Sequence, residues 1–516
     1  MTTIEHTSPP AGPPPTDEAS AAAPPPRSAA SRGWLGPLLR RLHFYAGILV
    51  GPFIFVAATS GALYALSPQL ERVVYADELS APSVGAPQNL PPLSLEMQVA
   101  AAQEATGGEE TILAVRPAPE IGDTTRVLYA AEGLGASEAR TIFVDPGNGE
   151  IRGDLVTYGT SGALPLRTWI DDLHRNLHLG ETGRLYSELA ASWLGVVSLA
   201  GLGLWIARSR RQRAGKSAER AATSGTETAG ASSRAAGYRK TRSLHATTGI
   251  WVLGGALFLS LTGITWSQHA GGNVGELRSA LSWSTPAVTA DLTGGSAPGE
   301  HAEHSGSEHA EHSGATATEP AATAEPGLFD DVLEVAQGEN VNVGLVEITP
   351  PTAAGDAWVV SEIQRSYPTE VDAVAVDGET LAVTDRVDFD DYPFAAKLAR
   401  WGIDMHQGTL FGLVNQLVLV AVAGAIALMV VWGYRMWWQR RPTRRPGRPV
   451  GKAPARGTFQ RTPWWGQLAV LAVAAGVGLF LPLVGVSLVA FLVIDVLLGL
   501  RDRRGSRDRR EARVGR

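Results

Sequence analysis

Four apolar runs long enough to cross a bilayer punctuate the chain, near residues 44–66, 187–207, 247–266 and 410–434. A further apolar stretch, 465–500, is interrupted by Pro482 and reads as a helical hairpin, so the pattern predicts six crossings. Between the first and second runs the pattern changes. "LSLEMQVAAAQEA" predicts a helix, and "TILAVRPA", "TTRVLYAAE" and "ARTIFVDPGNGEIRGDL" predict strands, the last folding back around Pro146-Gly-Asn-Gly. The segment between the third and fourth runs repeats this order. "LFDDVLEVAQ" is its helix, "VGLVEITPP", "AWVVSEIQ" and "DAVAVDGETLAVTDRVDF" are its strands, and Asp377-Gly marks the turn. The expected fold is an integral membrane α-helical bundle of four core spans plus a C-terminal hairpin, carrying two small α+β domains outside the cell.

Charge orients these elements. Segments 1–43, 208–244, 435–466 and 501–516 hold 31 Lys/Arg and 8 Asp/Glu, whereas 67–186 and 267–409 hold 13 Lys/Arg and 41 Asp/Glu. The positive-inside rule places the short basic segments, and with them both termini, in the cytoplasm of a multi-pass plasma-membrane protein. The first span starts too far from the N-terminus, and is too long, for a cleaved signal peptide. The expected order is a disordered Pro/Ala-rich tail (1–33), span one (34–66), outer domain one (67–173), span two (174–207) and a cytoplasmic loop (208–244). Span three (245–266), an outer loop with domain two (267–405), span four (406–437), a basic loop (438–464), the hairpin (465–500) and a basic tail (501–516) complete it. The basic loops need only topology and anionic lipid to explain them, and no nucleic-acid partner is expected.

The chain is duplicated within itself. "RRLHFYAGI" and "RSLHATTGI" place His43 and His245 before the first and third runs, each with a Gly four residues on (Gly47, Gly249) and another eighteen on (Gly61, Gly263). His174 in "DLHRNLHLG" and His406 in "DMHQGTLFG" precede the returning runs. Each has a Gly six on (Gly180, Gly412), a Gly twenty-seven on (Gly201, Gly433) and a Trp thirty-one on (Trp205, Trp437). The unit is therefore an inner His, a span, an outer α+β domain, an outer His and a returning span.

Ionisable groups at membrane depth are costly and usually functional. Neutral imidazole is the commonest metal ligand and holds haem iron. In a four-span bundle His43 and His245 would face each other at the cytoplasmic end, and His174 and His406 at the outer end. Two b-type haems, one per leaflet, would then form a wire across the membrane. The alternative is four interfacial histidines at headgroup level. His178, four residues after His174 and so on the same helical face, is a second candidate for the outer ligand. His269 has no repeat counterpart and is read as a surface residue. Gly47, Gly61, Gly249 and Gly263 would let a flat porphyrin approach the helices, or simply let helices pack closely.

Taken together, "LRRLHFYAG", "LHRNLHLGETGR", "RSLHATTG" and "MHQGTLFG" resemble the PepSY-associated transmembrane helix proteins over roughly residues 34–440. That family includes iron-uptake-associated membrane proteins and dihaem ferric-siderophore reductases. The resemblance implies a PepSY-like domain in each outer loop, haem ligation by His43, His174, His245 and His406, and reduction of a ferric or cupric complex at the outer face. The electron donor would be a quinol or a cytoplasmic partner. The hairpin, His178 and a His-rich outer loop depart from the reductase pattern.

That loop, "EHAEHSGSEHAEHSGA" at 300–315, repeats an eight-residue unit carrying His301, His304, His309 and His312 among glutamates. Imidazole with carboxylate suits Zn, Cu, Ni or Fe, and a polar insert without a ligand is the alternative. With no cysteine, the chain has no disulfide, no cysteine-ligated cluster and no covalently attached c-type haem. It contains no P-loop or G-x-G-x-x-G, and no catalytic triad or H-E-x-x-H, which argues against a nucleotide-dependent enzyme or a hydrolase. The competing function is a non-catalytic sensor whose PepSY-like domains regulate a peptidase.

Overall fold

A computed structural model describes residues 34–84, 90–108, 110–135, 137–221, 233–293, 325–342, 344–440, 459, 462–494 and 496–497. The N-terminal tail, most of the basic loop after residue 440, the C-terminal tail and the His-rich segment with His301, His304, His309 and His312 lie outside the described residues.

Two helices are individually long and apolar enough to cross a membrane: α7 (Gly180–Ala221) and α13 (Gly412–Gln439). The first and third apolar runs form bent pairs instead. Helix α1 (Leu35–Leu49) meets α2 (Gly51–Ala65) at 61°, and α8 (Ser233–Trp251) meets α9 (Leu253–Thr265) at 61°. The bends fall seven residues after His43 and His245, at Val50 and Val252. Pro52, which has no N–H to give to the helical ladder, follows the first bend, and Gly254 stands at the equivalent place in the second. Counting each bent pair as one span gives four. The C-terminal stretch breaks at Leu481 as expected, but its helices α14 (Trp464–Phe480) and α15 (Pro482–Ile494) fall short of the ~20 residues a full crossing needs.

The helices pack with the symmetry of the repeat. Helix α1 lies on α7 as α8 lies on α13, and α7 lies on α9 as α13 lies on α2. Ala46, Val50, Ile54, Ala190, Trp193, Ala256 and Ile426 form the bundle core. The hairpin attaches to one flank. There the Trp193 indole donates to Ser487 Oγ at 2.9 Å, and Tyr45 packs on Phe491.

After α2 the chain turns through α3 (Ser67–Val74) and α4 (Ala76–Leu79) into α5 (Leu95–Thr106) and strands β1 (Ile112–Arg116), β2 (Thr125–Tyr129), β3 (Glu138–Val144) and β4 (Ile151–Tyr158). Helix α6 (Pro165–Arg175) returns it to the bundle. After α9, α10 (His269–Ala280) and α11 (Leu328–Gly338) precede β5 (Val346–Thr349), β6 (Trp358–Glu362), β7 (Ala373–Val376) and β8 (Val383–Val387), and α12 (Phe394–Gln407) leads back. The helix and four strands in each copy follow the sequence pattern.

Their association does not. The two α+β units join into one antiparallel sheet of order β4-β3-β2-β1-β5-β6-β7-β8, the copies meeting where Val115 pairs with Ile348. One apolar core runs under both halves, from Val99, Tyr129 and Ile142 to Phe329, Trp358 and Val374. Arg116 and Glu347 form an ion pair at the seam, 2.6 Å apart. The Asp330 carboxylate of α11 accepts the Leu95 and Glu96 N–H groups at the start of α5, both at 2.8 Å. Each copy thus caps or pairs groups that the other would leave open.

From α5 to α13 the copies are offset by 232 residues, as His174 and His406 are, whereas His43 and His245 are offset by 202. Thirty residues are therefore inserted between α9 and α11 of the second copy, in the stretch that contains the His/Glu repeat.

Candidate functional site

His43 on α1 and His245 on α8 meet where the two bent helices approach, their ring centroids 6.1 Å apart and their planes at 78°. His174 and His406 stand on α6 and α12, which descend from the two halves of the sheet onto the bundle. They reach repeat-equivalent places on the bundle, His174 against Ser60 of α2 and His406 against Thr262 of α9. Along the first span, Ser60, which contacts His174, lies seventeen residues beyond His43, roughly 25 Å of helix. One pair lies near the sheet and the other far from it.

Each imidazole is held through Nδ1 by a helix of the bundle. Nδ1 of His43 lies 3.0 Å from the Val197 carbonyl, and that of His245 lies 3.0 Å from the Met429 carbonyl. Val197 and Met429 are each twenty-three residues past the outer histidine of their copy. Nδ1 of His174 lies 3.0 Å from Ser60 Oγ, and that of His406 lies 2.6 Å from Thr262 Oγ1. Ser60 and Thr262 are each seventeen residues past the inner histidine.

The carbonyl contacts fix two of the tautomers, and the hydroxyl contacts are compatible with the same one. A carbonyl only accepts, so His43 and His245 donate from Nδ1. Ser60 and Thr262 can give their hydroxyl hydrogens to the Val56 and Phe258 carbonyls, at 2.8 Å each, which leaves an oxygen lone pair free to accept from Nδ1 of His174 and His406. A neutral imidazole that donates from Nδ1 has a lone pair at Nε2, the arrangement in which a histidine ligates a metal while a neighbour orients its ring.

The glycines divide by structure. A Cβ at Gly61 would stand 3.0 Å from His174 Cε1, and one at Gly201 would stand 3.2 Å from His43 Cε1. At Gly263 the His406 ring is 3.8 Å away, and nothing lies within 4 Å of Gly47 or Gly433. Gly249 faces Met429. Of the four glycines expected to flank the sites, Gly61 is the one that contacts a histidine closely, and Gly201 shares that role.

His178 does not share the helical face of His174. Helix α6 ends at Arg175, and His178 follows in a turn with φ 55°, exposed, its ring 4.9 Å from that of Trp169. His269 is exposed at the start of α10. Among the described residues no three His, Asp, Glu or Cys side chains group to hold a metal. The paired histidines thus offer two nitrogen ligands per site and leave the remaining coordination to a bound group. At the His43–His245 pair the ring centroids are 6.1 Å apart, near enough for one bound group to bridge the two rings.

Around the sheet-proximal pair the spacing Leu-x-x-Trp-x-x-Asp-x-His occurs twice, as Leu166-Trp169-Asp172-His174 and Leu398-Trp401-Asp404-His406. Asp404 is fully buried, bonded to Arg400 Nε at 2.9 Å and 3.8 Å from the Arg365 guanidinium. Arg365 also donates to Gln407 Oε1 at 3.0 Å and to Thr160 Oγ1 at 2.6 Å, tying both halves of the sheet to the helix that carries His406. Beside this junction lies a cavity of about 30 Å³ walled by Tyr64, Trp266, Arg175, Gln407, Tyr158, Ser161 and Asp171. Burial raises the Asp171 carboxyl above its ordinary range, against the pull of Arg175.

A family model for the PepSY-associated TM region matches residues 40–440, from the helix that bears His43 to the end of α13. The chain belongs to that family. No curated protein matches it. The PepSY-associated TM region here is a membrane protein: apolar helices that contact lipid join a β-sheet built from both copies, with His43 and His245 on α1 and α8 of the bent pairs and His174 and His406 on α6 and α12 between sheet and bundle. Its limits enclose all four paired histidines and exclude the C-terminal hairpin.

Proposed function

We propose that this membrane protein carries electrons across the bilayer through two b-type haems and reduces a metal complex outside the cell, ferric siderophore-like or cupric. His43 and His245 would hold the haem near the cytoplasm, and His174 and His406 the one near the sheet, which lies outside in the multi-pass topology given by the charges. A haem bound at each pair supplies a one-electron carrier. The chain's own part is to orient the rings, keep each Nε2 deprotonated and set the two sites in series. The electrons come from a quinol or a cytoplasmic reductant.

The observation that carries this reading is the set of four Nδ1 hydrogen bonds at repeat-equivalent positions. Histidines that only sat at the headgroup level would have no reason to be tethered at Nδ1 by repeat-equivalent partners four times. His301, His304, His309 and His312 would serve as an exchangeable collector of the metal substrate, outside the electron path.

The test is a reduced-minus-oxidised spectrum of the purified protein with alanine at each paired histidine. A b-type α-band is expected, halved in His43→Ala and His245→Ala through loss of one haem, and halved in His174→Ala and His406→Ala through loss of the other. A protein that purifies without haem, or keeps its full complement in all four variants, overturns the reading.

A further inference from the structure

The cavity at the junction of sheet and bundle abuts the sheet-proximal pair, and its walls follow the internal repeat. Tyr64 and Trp266 each stand twenty-one residues past the inner histidine of their copy, and Arg175 and Gln407 each follow the outer one. The two aromatic positions have diverged in what they touch. Arg167 occupies the first, donating to the Tyr64 hydroxyl at 3.3 Å and lying over its ring at 5.2 Å. At the second, the half-buried Trp266 turns its indole towards His406, with ring centroids 6.0 Å apart and planes at 55°. An aromatic ring therefore connects His406 to the cavity through the second copy.

We infer that Trp266 is the outlet through which an electron leaves the sheet-proximal site for an acceptor docked at this cavity. The inference rests on the haem reading. One electron passes from the reduced site to the acceptor, converting one ferric ion to ferrous; no bond forms or breaks and no proton moves. A quinol or cytoplasmic reductant replaces the electron from across the membrane.

The cavity has room for a water or two, so the acceptor stays outside and presents only an edge. That edge is rich in oxygen acceptors and needs no net charge, because Asp171 and Asp172 already oppose Arg175. Arg175 Nε, 3.7 Å from the Asp171 carboxylate, is buried without a hydrogen-bond partner, and the Tyr158 and Ser161 hydroxyls stand on the sheet side. A tryptophan at a span end also suits the interfacial aromatic belt. That role would anchor the helix and leave the rate of electron exit unchanged.

The experiment uses the full chain, purified in detergent, reduced with dithionite and mixed with the ferric complex of EDTA. Haem content, the reduced spectrum and the rate of reoxidation are read for the parent, Trp266→Leu and Trp266→Phe. Ser161→Trp, which fills the cavity from the sheet side without touching a histidine, is read alongside. The expectation is parental spectra throughout, with reoxidation slowed by an order of magnitude in Trp266→Leu and in Ser161→Trp, and a near-parental rate in Trp266→Phe. Parental reoxidation in Trp266→Leu or Ser161→Trp, in whichever keeps its haem, overturns the outlet and leaves the haem reading standing. A parent without haem overturns both.

Discussion

Ser60 and Thr262 are ordinary helix residues by sequence, and their importance becomes visible only in the fold. A hydroxyl in an apolar helix usually bonds to its own backbone, as both do here. Each also lies within hydrogen-bond distance of an imidazole on another helix, a partnership no local pattern reveals. The four paired histidines, by contrast, were legible from their spacing. His178 was misread because a four-residue spacing implies a shared face only if the helix continues, and α6 stops at Arg175. We predict that Ser60→Ala or Thr262→Val weakens haem retention at the sheet-proximal site by about 10–100-fold, the usual cost of losing a group that orients a ligand. The far site should be unaffected, as read from the residual spectrum after dilution. The glycines give a graded companion test. Gly61→Ala should disturb the His174 site and Gly201→Ala the His43 site, because the added methyl lies 3.0 and 3.2 Å from the ring. Gly263→Ala and Gly47→Ala should leave the spectrum intact, since they add only an ordinary contact or meet open space. Equal effects at all four positions would mean that these glycines serve helix packing alone.

At the scale of elements, hydrophobic periodicity located the apolar runs, α5, α11 and the strands, but not the connecting helices α6 and α12 that carry His174 and His406, nor how helix ends are satisfied by distant residues. Glu188 is the clearest case. It lies fully buried within the apolar part of α7 and accepts the His269 and Ala270 N–H groups at 2.9 and 3.2 Å. An ionisable residue in a span reads by default as functional, yet here its oxygens cap the first turn of α10. Glu188→Gln keeps an acceptor, whereas Glu188→Ala leaves both donors bare, so the alanine variant should be less stable by about 1–2 kcal/mol. Thermal unfolding in detergent measures the difference, and equal melting of the two variants would point to a role for the charge. Asp330 performs the same service for α5 from across the seam of the sheet, beside the local cap from Ser94. Asp330→Ala should cost about 1 kcal/mol and raise hydrogen exchange at Leu95 and Glu96, although the substitution lies in the other copy. The bends at Val50 and Val252 were not foreseen either. Pro52 marks the first, but Gly254 in the second is no stronger a signal than the other glycines of the spans.

At the scale of the whole molecule, two copies of one pattern have become a single structure, and sequence could show the copies but not their union. Nothing in "TILAVRPA" or "VGLVEITPP" states that β1 and β5 will pair with each other. Separated, each four-stranded half would expose an edge strand and half of an apolar core, which is the physical reason to fuse them. The thirty-residue insertion before α11 shows how little of this frame depends on the connecting chain: the first copy forms the same helix and four strands without it. Deleting 300–315 should therefore leave the haem spectrum unchanged and slow reduction only when metal is scarce. The orientation of the frame rests on charge, and the absence of cysteine makes it directly measurable, because any cysteine introduced is the chain's only thiol. Ile121 is 84% exposed in the loop between β1 and β2, and Arg210 is exposed on α7 beyond its apolar stretch. In intact cells a membrane-impermeant maleimide should label Ile121→Cys at once and reach Arg210→Cys only after the membrane is opened. The reverse pattern would put the sheet in the cytoplasm. The electron path would then have to run inward, and a reductase of extracellular metal would no longer be a tenable reading.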